Sequence, residues 1–110
     1  MKYTGSCHCQ KVKFTCELEL KTPIVCNCSY HSMNNATVHV ADSIIIQEGA
    51  SDLTCYTFNT MKGNHHFCKH CGVYIYGPTP TLEKHTVNLH TLKDCDWQKL
   101  DVYNFDGKVL

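Results

Sequence analysis

The sequence has no excess charge of either sign. Lys and Arg number 10, Asp and Glu number 10, and the formal net charge is zero with histidine neutral. Proteins that hold a phosphate backbone by charge carry a basic face or tail, and this chain has no basic run, which argues against a nucleic-acid partner. No apolar run approaches the ~18 residues of a membrane-crossing helix, so no membrane partner is expected. The opening MKYTGSCHC lacks the apolar h-region of a secretory signal. Glycine (6) and proline (3) are sparse and fall at apparent turns, with no linker, repeat or low-complexity segment between them. No stretch shows the periodicity of an amphipathic helix, and residues 94–100 have room for one turn. The expectation is a soluble, cytoplasmic, single domain spanning residues 1–110.

Cysteine is what the chain has in abundance. There are nine in 110 residues. An odd number excludes complete internal pairing, and a reducing compartment disfavours structural disulfides, so metal ligation is the better reading. A chain of 12.5 kDa buries a modest core, which a metal cross-link would reinforce.

The rest of the pattern predicts strands. Residues 11–21 (KVKFTCELELK) alternate strictly, with Val12, Phe14, Cys16, Leu18 and Leu20 on one face. Further strands are expected at 36–40, 43–47, 53–58, 73–76 (ended by Gly77-Pro78), 85–90 and 103–105, rich in β-branched and aromatic residues. Many short strands with little helix predict an all-β sandwich or open barrel, with the cysteine clusters in zinc-binding knuckles between strands.

Three clusters carry metal-ligand spacing: Cys7-His8-Cys9, Cys26-Asn27-Cys28 followed by His31, and Cys68-Lys69-His70-Cys71-Gly72. A C-x-x-C turn lets two thiolates face one ion, and a following glycine permits the tight turn. Cys7 and Cys9 can supply its second pair, closing a structural four-thiolate site. Cys26, Cys28 and His31 would then form a three-ligand set, the usual complement of a catalytic zinc with one open position. Equally, Cys26 and Cys28 could close a site with Cys68 and Cys71 and leave Cys7 and Cys9 spare.

The segments GSCHCQKVKF, CNCS, YTFNT, HHFCKHCGVYIY, VNLHTL and FDG, in this order over Gly5–Gly107, resemble the glutathione-dependent formaldehyde-activating enzyme family, which also includes centromere protein V. The resemblance implies a β-sandwich or open barrel with two zinc ions. Cys7, Cys9, Cys68 and Cys71 match the structural site; Cys26 and Cys28 match two ligands of an exchangeable site. It implies addition of glutathione, or a similar small thiol, to a small aldehyde, giving S-hydroxymethylglutathione from formaldehyde in a carbon–sulfur lyase-type reaction. The family reads C-x-C-x-x-C where this chain has His31, a competent zinc ligand that would make the site Cys₂His. Cys26, Cys28 and His31 are thus the candidate catalytic residues, and Ser29 and Tyr30 between them are candidate substrate contacts. The alternative is a non-enzymatic, zinc-stabilised β module for binding protein or chromatin.

Of the remaining residues, Cys16 and Cys55 read as buried core thiols. Cys95 lies between acids and reads as a packing or surface thiol of raised pKa. His66 and His90 are candidate bases, His8 and His70 outer-shell or solvent-facing groups. His39, His65 and His85 have no expected role. Trp97, Tyr56, Phe58, Tyr74 and Tyr76 read as packing.

Overall fold

The structure, a computed structural model, describes residues 1–57, 64–79 and 84–106. Ten strands and one short helix are assigned among them. The strands are β1 (Lys2–Ser6), β2 (Lys13–Glu17), β3 (Ile24–Cys26), β4 (Thr37–Ala41), β5 (Ser43–Glu48), β6 (Leu53–Tyr56), β7 (His65–Cys68), β8 (Tyr74–Pro78), β9 (His85–Asn88) and β10 (Tyr103–Phe105). They form a three-stranded sheet, order β1-β2-β5, and a seven-stranded sheet, order β10-β3-β4-β9-β8-β7-β6. All neighbours are antiparallel except β10 beside β3. The expected all-β architecture is present. No helix among the described residues is long and apolar enough to cross a membrane.

The period-two pattern of β2 has its packing counterpart. Val12, Phe14, Cys16 and Leu18 are buried together with Tyr3 of β1 and with Ala41, Ile75, Val87 and Leu89 of the larger sheet and its flank. At ~25 cal/mol per Å² of apolar surface, each of the buried Val, Leu, Ile and Phe side chains contributes about 1.5–3 kcal/mol. β4 lacks this alternation because both its faces are covered. Ala41 joins that main cluster, whereas Val38 packs with Ala36 and Tyr74 in a second one, edged by Ile24 and Tyr30.

Several boundaries differ from those expected. The 11–21 strand is hydrogen-bonded as a strand only over Lys13–Glu17. β8 runs on through Gly77 and Pro78, which pair with Thr86 and His85. β9 stops at Asn88, whose side-chain carbonyl accepts from His90 N and starts a 3₁₀ turn over Leu89–Thr91. A 3₁₀ turn at Trp97–Lys99 fills the single turn expected within 94–100. Phe58 lies outside the described residues. Cys55 is not core: β6 is the sheet's edge strand, and Cys55 is exposed on it. Cys16 is core as expected. Cys95 is half-buried, its thiol pKa raised by burial first and by Asp96 among the charges. His39 is buried, its Nε2 accepting from Lys21 N at 3.1 Å and its Nδ1 donating to Val40 O at 2.8 Å.

Gly49 closes β5 in the left-handed region (φ 81°), where a Cβ would overlap the carbonyl of Lys11. Glycine is required there on both counts. Gly49→Ala is expected to lower the melting temperature by about 5 °C or more, since strain of about 1–3 kcal/mol is large for a domain this size. An unchanged thermal melt would show that the Lys11 backbone yields at little cost.

Candidate metal centres

The first cluster joins two turns that are far apart in sequence. Each turn is closed the same way: the N–H of its leading cysteine donates to the carbonyl five residues on, Cys7 to Val12 at 3.1 Å and Cys68 to Val73 at 3.1 Å. Gln10 (φ 65°) and Gly72 (φ 77°) take the left-handed conformation that reverses each chain. Backbone N–H groups turn inward onto sulfur, Val12 N to Cys7 Sγ and His70 N to Cys68 Sγ, both at 3.4 Å. Such bonds favour thiolate. The sulfurs of Cys7 and Cys9 lie 3.5 Å apart, and those of Cys9 and Cys68 3.7 Å. These are free cysteines, far beyond the ~2.05 Å of a disulfide. The separations are close to the roughly 3.8 Å edge of a tetrahedron with ~2.3 Å metal–sulfur bonds. The ligand atoms of Cys7, Cys9, Cys68 and Cys71 lie within 4.8 Å of one another and could hold a metal ion. Burial pushes the Cys71 thiol up, but N–H bonds from Cys9 and Val73 and thiol contacts with Cys68 and Cys7 outweigh it, leaving it down at about 6.

The segment Ala50–Asp52 braces this knuckle. Lys69 N donates to Asp52 O at 2.9 Å, and His70 Nε2 meets Asp52 Oδ1 at 2.7 Å. The His70 bond holds the Asp52 carboxyl below its ordinary range. His70 is thus an outer support, and His8 is exposed, as the sequence suggested.

The second cluster is not a knuckle. Cys26 ends β3, and Cys28 is the N-cap of helix α1 (Ser29–Asn34), which the sequence reading did not foresee. Its sulfur accepts the capping bond from His31 N at 3.5 Å. One turn later His31 brings its Nδ1 to 3.0 Å from the same sulfur. Asn35, left-handed at φ 51°, ends the helix, as asparagine readily does. β10 pins the strand from outside: Phe105 pairs with Cys26, and Asn27 Nδ2 donates to Asp106 Oδ1 at 3.0 Å. The ligand atoms of Cys26, Cys28 and His31 also lie within 4.8 Å of one another. This resolves the pairing left open by spacing, because Cys26 and Cys28 group with His31 and not with Cys68 and Cys71.

Both donor sets suit a borderline-soft ion such as zinc. The closed set offers four sulfurs, two of them buried; the other offers three donors, with Cys26 and Cys28 half-buried. His31 is enclosed by rings, with Tyr30, His65 and Tyr74 set edge-on at centroid distances of 5.9, 5.5 and 5.6 Å. Burial first, and His65 second, hold its pKa down to about 4, so the imidazole is in the neutral form a metal needs.

The remaining candidates separate clearly. Ser29 is exposed at the first position of α1; Tyr30 is half-buried. Tyr30 lies against His65 at 4.3 Å and stacks on Tyr56 at 5.9 Å. His66 stacks on Tyr76, and His90 packs against Trp97; neither joins a ligand cluster. His65 and Tyr74 are the residues that sequence reasoning missed. Only the alternation of β7 and β8, read together with the position of α1, could have placed them beside His31.

An all-β protein with one four-sulfur cluster and one Cys₂His cluster is, by its architecture, a candidate two-metal thiolate protein. The family model for the glutathione-dependent formaldehyde-activating enzyme matches residues 2–104, and the chain belongs to that family. The solved structure of a Rhodobacter sphaeroides protein is also similar, with a TM-score of 0.80 at 28% identity over 93% of this chain and 98% of that one.

Proposed function

We propose that this protein binds two zinc ions, at Cys7/Cys9/Cys68/Cys71 and at Cys26/Cys28/His31, and catalyses addition of glutathione or a similar small thiol to formaldehyde. The observation that carries this is the contrast between a closed four-sulfur set and a three-donor set of half-exposed thiols in a chain of this family. Bound at the second set, zinc would supply Lewis acidity that favours the thiolate of an incoming thiol at neutral pH. Two thiolates and a neutral His31 would offset the ion's charge. Ser29 and Tyr30 sit between these ligands, where hydroxyl groups suit the polar ends of a tripeptide thiol. Tyr30, His65 and Tyr74 pack their rings around His31, which is buried among them. In the reaction the sulfur bonds to the carbonyl carbon and the thiol proton ends on the oxygen, so no oxidant or reductant is needed.

The test is a glutathione titration of cobalt-substituted protein, with S-hydroxymethylglutathione formation followed by exchange NMR against the uncatalysed reaction. Perturbation of one cobalt chromophore and acceleration over background are expected. Unchanged spectra together with a background rate would sink the enzymatic reading in favour of a zinc-stabilised binding module.

A further inference from the structure

Gly77 lies inside β8 and pairs with Thr86 of β9. Glycine weakens a strand interior, and where it stands there another group commonly approaches closely. Conformation does not call for it: among the described glycines only Gly49 and Gly72 take positive φ. A Cβ at 77 would instead overlap the Tyr74 hydroxyl. It would also lie 3.1 Å from His65 Nδ1 and 3.4 Å from Tyr74 Cζ. The space a methyl group would need is thus taken by a hydroxyl and an imidazole.

Both of those rings wall His31. Their centroids lie 5.6 Å (Tyr74) and 5.5 Å (His65) from that of His31, which is 9% exposed. The Tyr74 hydroxyl is 3.4 Å from His31 Nε2, and Nδ1 of the same ring is 3.0 Å from Cys28 Sγ. Tyr74 has little room to retreat. It is 2% exposed, its strand partner is Phe67, and its carbonyl accepts from Asn88 Nδ2 at 2.9 Å. A side chain at 77 would therefore press on two of the rings that seat His31, whereas a metal ligand must hold its place to within about 0.5 Å.

We propose that Gly77 is a positioning residue for His31: having no side chain, it leaves room for the Tyr74 hydroxyl, and that hydroxyl seats the imidazole against Cys28. The proposal rests on the metal-site reading above. It adds a residue outside both ligand sets on which the geometry of the second depends.

The experiment is chelator competition for each ion, with ¹H–¹³C correlation of the histidine rings. It compares zinc-loaded wild type, Gly77→Ala, Tyr74→Phe and the double variant. Residues that orient a metal ligand typically change metal affinity by about 10–100-fold. Gly77→Ala is expected to weaken one ion by about that factor, leave the other unchanged, and move the His31 ring signals. Removing the hydroxyl removes the overlap, so in the Tyr74→Phe background the same change should cost no more than about twofold. Both ions held in Gly77→Ala as tightly as in the wild type, or equal losses in the two backgrounds, overturn the proposal. Should Gly77→Ala alone not fold, the double variant decides. Folding with both ions held as in Tyr74→Phe upholds the proposal, and failing to fold overturns it. A wild type with one ion only would defeat the metal-site reading. The His31 signals then decide this proposal separately: moved in Gly77→Ala they uphold it, unmoved they overturn it.

Discussion

Cys68→Ser is expected to leave no cooperatively folded protein at 37 °C. Cys68 is fully buried at the end of β7, its sulfur 3.7 Å from that of Cys9, 59 residues away in sequence. The four-sulfur cluster therefore ties the turn between β1 and β2 in the small sheet to the turn between β7 and β8 in the large one. A covalent cross-link closing a loop of that length is worth about 4 kcal/mol by chain entropy. Structural zinc in small domains contributes more, with apparent binding free energies of about 10–16 kcal/mol. Total stabilities run to only about 5–15 kcal/mol. Losing the cross-link thus removes most or all of the margin. Near-UV circular dichroism and thermal melting would show it, as would stripping the wild type with a strong chelator. Cys55→Ser is the control: exposed on an edge strand, it should change stability by no more than about 0.5 kcal/mol. If metal-free protein melts where loaded protein does, the hydrophobic core alone holds the fold and the cross-link is incidental.

Cys28→Ser is expected to do the reverse, abolishing turnover while the fold survives. Serine is itself a strong N-cap, so its hydroxyl can take over the bond that the Cys28 sulfur makes to His31 N, and α1 persists. Alanine would lose the cap as well, at a further cost of about 1 kcal/mol. The serine variant should hold one ion per chain instead of two. It should lose roughly 10²-fold or more in thiol–formaldehyde addition, since Lewis-acid stabilisation is worth several kcal/mol. Its cooperative melt should remain. Full activity with one ion would move the reaction away from Cys26, Cys28 and His31 altogether.

The sequence showed its strands best where one face is buried and the other wet. Val12, Phe14, Cys16 and Leu18 alternate with polar residues, and the packing follows. It did not show β1, β3 or β7: β3 and β7 have three or four residues, too few to show a period, and β1 runs KYTGS into the first cysteine cluster with Tyr3 its one large apolar residue. Cys55 misled because edge position is a property of sheet order, and LTCYTF reads the same at an edge as in the middle. Both ligand clusters were legible, since spacing and residue type are local. Their partition was not, because it depends on which turns the sheets bring together. Helix α1 was hidden by its brevity and by its cap: cysteine is not a residue that announces a helix start. The rings around His31 come from three separate elements, and no local pattern joins Tyr30, His65 and Tyr74.

The two candidate ligand sets differ in how soon a growing chain can assemble them. Cys26, Cys28 and His31 fall within one short stretch, whereas the four-sulfur set is incomplete until Cys71 has been made. The interval is 71 − 31 = 40 residues. At ~5–20 residues per second, translation takes about 2–8 s to cross it. For that time Cys7 and Cys9 wait without the other half of their site, while the Cys₂His triple is already present as a local chelate. With both sets occupied as proposed, a nascent chain would meet its first ion at Cys26, Cys28 and His31, and the ion of the four-sulfur set only after β7 has been made.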